Sequence, residues 1–113
     1  MNKMHEVKII YLTGKTGKKY RFYTFRSPEG FKPSGGVFAI TRRRKRKSAW
    51  EHEVIHLDEI HDMSGLHVHI SQAGPQYMEE ENFIAARLEN DPLKRRKSIE
   101  DLLGNYFPSR LRT

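Results

Sequence analysis

The sequence has no cysteine, so neither a disulfide framework nor a thiolate metal site is open to it. It has no apolar run near the roughly 18 residues that a membrane span requires. The opening "MNKMHEVKIIYLTG" lacks an apolar signal core and a cleavage site. The expectation is a soluble, cytoplasmic protein with no membrane partner. A glycine-rich phosphate loop, a dinucleotide fingerprint and a nucleophile elbow are all missing, which leaves no sequence signal for nucleotide or serine-nucleophile chemistry. Acidic charge is scarce in the first half. Residues 1–50 hold 14 Lys/Arg against 2 acids, and residues 51–113 hold 7 against 12. The net charge of +7 is thus concentrated in one half, as in proteins that turn a cationic face to phosphates.

With 113 residues the chain is expected to form one domain with a single core. "EVKIIYL" (6–12) and "KYRFYTF" (19–25) flank the turn-forming "TGKTGKK", which predicts a hairpin over 6–25. In its second strand Tyr20, Phe22 and Thr24 alternate with Arg21, Tyr23 and Phe25. "SPEGFKPSGG" (27–36) is a loop. "GVFAIT" (36–41) and "HEVIHL" (52–57) read as a second hairpin turned by the basic run 42–47, and "LHVHIS" (66–71) alternates as a third strand. Over 77–107 the pattern predicts helices. The first is "YMEEENFIAARLEN". The second follows Asp91 as N-cap with Pro92 at the first helical position, and has apolar residues at 99, 102, 103 and 106. "PSRLRT" reads as a tail. The expected class is α+β, a small antiparallel sheet with an N-terminal hairpin, packed by two C-terminal helices.

Three sets of residues carry candidate chemistry. The first is His52-Glu53-Val54-Ile55-His56, which has the H-E-x-x-H spacing of zinc hydrolases. Chance alone gives about 0.03 such matches in a chain of this composition. On a helix both histidines would face away from Trp50, Val54 and Leu57, and Glu59 and Asp62 stand where an extended zinc motif has glycine and histidine. On a strand His52, Val54 and His56 would share one face. The second set is Arg42, Arg43, Arg44, Lys45, Arg46 and Lys47, a phosphate clamp at a hairpin tip helped by Lys15, Lys18, Lys19 and Arg21 from the neighbouring turn. The third is "KYRFYTFR", whose rings interleave with arginines as in single-strand stacking surfaces; packing of one face accounts for most of those rings. His67 and His69, on one face of a strand, would be available to a metal alongside His52 or His56.

The order of "YRFYTF", "GGVFAITRRR", "EVIHLDEIHDMSG" and "RRKSIEDLLGNYFPS", over residues 20–110, resembles the GIY-YIG nuclease-like proteins. The resemblance implies a GIY-YIG-like core. It also implies a site in which two tyrosines and an arginine surround a phosphate while a helix-borne glutamate holds magnesium or manganese. The first tyrosine falls on Phe38 and the second on Ile55, with Leu57 at the motif glycine. The arginine has no counterpart at Gly65-Leu66-His67. Glu100 matches the metal-binding glutamate, in competition with Glu79, Glu80 and Glu81, and His56 is the nearest acid–base group.

Four functions follow as expectations. The leading one is nucleic-acid binding, to DNA or RNA, by a degenerate domain without catalysis. The alternatives are a magnesium- or manganese-dependent nuclease using Glu100 and His56, a zinc hydrolase using His52, Glu53 and His56, and a protein-interaction module using the acidic helix.

Overall fold

The computed structural model describes residues 8–79 and 82–111. Strands β1 (Lys8–Thr13) and β2 (Lys19–Phe25) pair antiparallel from Lys8 opposite Thr24 to Thr13 opposite Lys19. Their turn closes through Gly14 N–H to the Lys18 carbonyl at 2.8 Å, and Gly17 supplies a left-handed φ of 93°. In β2 the expected alternation holds: Tyr20, Phe22 and Thr24 are buried, whereas Lys19, Arg21 and Tyr23 are exposed. Glu6 and Val7, placed by the sequence in this hairpin, lie outside the described residues.

Strands β3 (Gly36–Arg46) and β4 (Ala49–Ile60) form the long second hairpin. The basic run was expected to be its turn. Instead Arg42–Arg46 continue β3, opposite Glu53–Ala49, and only Lys47 and Ser48 make the turn. Lys47 sits at φ 58°, a conformation that two-residue hairpin turns favour and that costs a non-glycine residue about 1–2 kcal/mol.

Two assignments from sequence periodicity are corrected. "LHVHIS" is not a strand but the start of helix α1 (Leu66–Ala73), entered from a 3-10 turn over Met63–Gly65 that Asp62 caps through Ser64. The buried residues are Met63, Leu66 and Ile70, while Val68, on which the alternation rested, is 56% exposed. "YMEEENFIAARLEN" is not a helix. A 3-10 turn over Pro75–Met78 leads into strand β5 (Asn82–Leu88), which lies between β2 and β3. Central position explains the error. β5 is covered on both sides, so Ile84, Ala85 and Ala86 are all buried and the period of two is hidden. Helix α2 (Pro92–Tyr106) forms as expected, with Asp91 accepting from Leu93 N–H at 3.0 Å and Pro92 in the first turn.

The sheet order is β1-β2-β5-β3-β4, and every pairing is antiparallel. Alternate residues feed two cores. On one side Leu12, Tyr20, Phe22, Val37, Ala39, Leu57 and Ala85 pack with Ile99 and Leu102 of α2. On the other Phe38, Ile40, Ile84 and Ala86 pack with Met63, Leu66 and Ile70 at α1. The α+β class therefore holds, with one helix on each face rather than two after the strands. Among the described residues no helix is long and apolar enough to cross a membrane.

Candidate nucleic-acid interface

β5 ends at Asn82, opposite Arg42. Past that point β3 and β4 continue as a two-stranded arm, without a third neighbour among the described residues. The arm follows from sequence length alone, since β3 and β4 have 11 and 12 residues and β5 only 7. Residues 42–53 carry six cations against Glu51 and Glu53. Because side chains alternate along a strand, Arg42 and Arg44 project on the α1 side and Arg43 and Lys45 on the α2 side. All four are exposed. Arg42 meets Glu79 at 3.8 Å and Arg44 meets Glu53 at 3.4 Å, exposed pairs that contribute at most about 1 kcal/mol each.

At the base of the arm, on the α2 side, three side chains converge on one ring. Phe83 of β5 lies opposite Thr41 and outside the core cluster that α2 covers. The Arg26 guanidinium stands 4.5 Å from its centroid, that of Arg43 stands 5.6 Å away, and the His52 ring meets it edge-on at 5.3 Å. His52 is fixed in turn by a 2.8 Å hydrogen bond between Nδ1 and the buried Thr41 hydroxyl. Burial, reinforced by the charges of Arg43 and Lys8, holds the His52 pKa below the usual imidazole value. His52 is thus a neutral strut under a ring flanked by two guanidinium groups. The sequence singles out neither Phe83, which its pattern places in a helix, nor Lys8, which lies outside the basic run; Arg26 closes the "KYRFYTFR" stretch but nothing in the sequence joins it to the arm.

The second basic group is elsewhere. Through β5, Tyr23 is level with Phe38, so Lys19 and Arg42 are separated by eight residues of strand rise, roughly 25 Å. Lys15, Lys18, Lys19 and Arg21 therefore lie at the opposite end of the sheet from the arm and share no clamp with it. Lys15 and Lys18 instead border an open cleft of about 790 Å³ with Lys94, Lys97 and Arg87, and Glu100 lines the same cleft. Asp101 closes its floor, accepting from Thr16 N–H at 3.0 Å, Thr16 Oγ1 at 2.8 Å and the Tyr20 hydroxyl at 2.8 Å.

The nuclease pair is divided by the sheet. Glu100 belongs to α2, whereas His56 belongs to the α1 side, opposite Ile40. No single ion can be shared by them. His56 stacks on Tyr77 at 4.6 Å and leans on Phe38 at 5.8 Å, and its buried Nε2 has no hydrogen-bond partner among the described residues. Its pKa is lowered by burial, with Asp58 opposing and Arg110 and His69 adding. Phe38 and Leu57, at the motif's tyrosine and glycine positions, are fully buried. Glu79 is exposed and pairs with Arg42; Glu80 and Glu81 lie outside the described residues.

The zinc set is broken by a bulge. Ile40 pairs with His56 and Thr41 with Val54, leaving Ile55 as an extra residue on β4. His52 and Val54 therefore face α2, and His56 faces α1. The expected single face does not form. His67 and His69 also part company on their helix, His67 lying 3.7 Å from Glu29 and His69 lying 3.6 Å from Asp58. Among the described residues no group of three or more such side chains is placed to hold a metal.

A scan against protein-family models and searches of curated proteins and of solved structures found no match. The interface accordingly rests on its own geometry.

Proposed function

We propose that the protein binds nucleic acid through the β3–β4 arm and the Phe83 site at its base, and that it holds its target rather than cleaving it. The observation that carries this reading is the join between the two. An arm whose sequence holds six cations and two carboxylates, with Arg42–Lys45 exposed, ends on a part-exposed aromatic ring flanked by Arg26 and Arg43. Phosphates are held by charge without reading sequence, and an aromatic ring beside guanidinium groups offers a surface to a base. The sequence resemblance over residues 20–110 is what supports a GIY-YIG-like core, and the buried, hydroxyl-free Phe38 supports its being catalytically degenerate.

Titration of labelled DNA and RNA oligonucleotides at about 50 mM salt tests the reading. Binding is expected for the native chain, with a log–log salt slope of about −0.9 per phosphate neutralised on duplex DNA. Replacing Arg42, Arg43, Arg44 and Lys45 by glutamate is expected to abolish it. Binding unchanged by that replacement, or none by the native chain, overturns the proposal. Magnesium- or manganese-dependent cleavage that Glu100→Ala removes would replace holding by hydrolysis.

A further inference from the structure

Helix α1 is 8 residues long and cannot cover five strands. A five-stranded sheet is about 19 Å across and a helix with its side chains about 10 Å. α1 and the 3-10 turns beside it pack on Phe38, Ile40, Ile84 and Ala86, that is, on β3 and β5. Among the described residues the β1–β2 half of the same face is left open. There Ile9 pairs with Tyr23 and Tyr11 with Arg21, and the three apolar residues are 48%, 40% and 57% exposed for Ile9, Tyr23 and Tyr11. The neighbouring Phe25 is capped edge-on by Phe31 at 4.9 Å, so the open surface stops there.

Large apolar side chains exposed side by side on one sheet face form the kind of contiguous patch that contact surfaces use. Charge decides what kind of contact. Neither β1 nor β2 contains an acidic residue, and this face adds Arg21, with its guanidinium 6.0 Å from the Tyr23 ring, and Lys19 opposite Thr13. Two copies brought together on this face would oppose cation to cation. An anion that also presents flat apolar rings fits both features. Tyr11 and Tyr23 are diagonal neighbours, about 7–8 Å apart at that register, within reach of successive stacked bases. Arg42 and Arg44 of the arm project to this same side of the sheet.

We infer that Tyr11, Tyr23 and Ile9, with Arg21 and Lys19, form a base-stacking surface for single-stranded nucleic acid. The inference rests on the nucleic-acid reading above and narrows it to unpaired strands, because bases inside a duplex present no free faces to such a surface. The rings give grip without reading sequence, and the cations hold the backbone beside them.

The test compares a labelled oligouridylate or oligothymidylate with a duplex of equal length. The proteins are the native chain, a Tyr11→Ala/Tyr23→Ala double variant, a Tyr11→Phe/Tyr23→Phe double variant and the arm variant. Each lost ring is expected to weaken single-strand binding about five- to one-hundred-fold, with duplex affinity unchanged. The phenylalanine variant is expected to retain single-strand affinity, and the salt slope is expected to stay the same, because no cation is removed. Native single-strand affinity in the alanine variant, with binding lost in the arm variant, overturns this inference and leaves the nucleic-acid reading standing. An equal fall on both probes also overturns it, as does a native dimer that the alanine variant splits on sedimentation. No binding to either probe by the native chain overturns both readings.

Discussion

His52 and His56 stand four residues apart on β4 and face opposite sides of the sheet, because Ile55 is an extra residue that has no partner on β3. A period of two carries both histidines to one side; the bulge resets the count between them. One imidazole ends against Phe83 and the other against Tyr77. A zinc ion added in stoichiometric amount is therefore expected to leave the melting temperature unchanged, and metal analysis of protein purified without a histidine tag is expected to find none. A rise in melting temperature that His52→Ala and His56→Ala each abolish would mean that β4 rearranges around an ion.

Asp101 fastens α2 to the turn between β1 and β2. Its carboxylate accepts three hydrogen bonds there, and Lys15 N–H donates to its backbone carbonyl at 2.9 Å. Burial opposes its charge, but the hydrogen bonds from Thr16 and Tyr20 outweigh that effect and hold the carboxyl below its ordinary value. The Tyr20 hydroxyl, buried and bonded to that carboxylate, is pushed up to about 12. Asp101→Ala is expected to cost about 2 kcal/mol in denaturant unfolding, since a buried phenol loses its acceptor. A depressed carboxyl pKa contributes stability that is full above the unfolded value near 3.8 and is lost as pH falls through the lower folded value. The gap between native and variant is expected to narrow in that acid window, as the charge-dependent part is lost; a gap constant with pH would contradict the assignment.

Lys47 shows the opposite case, a residue that the fold tolerates at a cost. Its positive φ in a two-residue hairpin turn suits glycine. Lys47→Gly is expected to raise stability by about 1 kcal/mol, seen as a higher denaturant midpoint at unchanged slope. The proposed binding by the arm is then expected to fall only by the one charge removed.

The hairpins and α2 were legible because each carries a local signal: turn residues at 13–19, a glycine-led apolar run at 36–41, and Asp91-Pro92 ahead of Ile99 and Leu102. β5 was not, because burial on both sides replaces alternation by a continuous apolar run, and Ala85, Ala86 and Leu88 are also good helix formers. α1 was missed for the converse reason. Its histidines mimic alternation, while its real signal is the Leu66–Ile70 spacing and the Asp62–Ser64 cap just before it. The candidate interface was visible as charge and invisible as shape. Six adjacent cations stand out in the sequence, but only the strand register shows that Arg42–Lys45 alternate along an arm, that Lys15–Arg21 sit at the far end, and that Phe83 and Arg26 lie at the arm's base.

On the proposed nucleic-acid reading, a change at Phe83 separates binding from folding. Because the ring lies outside the α2 core, Phe83→Ala is expected to destabilise less than the about 3–5 kcal/mol typical of a core phenylalanine. Its loss removes a stacking surface and no charge, so affinity is expected to fall about five- to one-hundred-fold with the salt slope unchanged. Arg26→Ala gives the complementary result, a shallower slope. If Phe83→Ala unfolds the chain and Phe83→Leu binds as the native protein does, the ring is packing alone.

The two bulge-flanking histidines make stability depend on pH in a defined direction. Burial is the first cause of the lowered pKa of each, so the folded protein keeps both neutral at pH values where the unfolded chain already protonates them. The unfolded state then binds more protons, and stability rises with pH between the folded values and 6.5. Below the folded values the difference is constant and the contribution is gone. Thermal midpoints are expected to drop as pH falls from about 7 toward 5, in a range above that of Asp101. His56→Asn is expected to flatten part of that slope, and His52→Asn, which keeps a group able to bond Thr41, the remainder. A native slope that survives in the double variant would assign the drop to other groups and leave both imidazoles without a part in it.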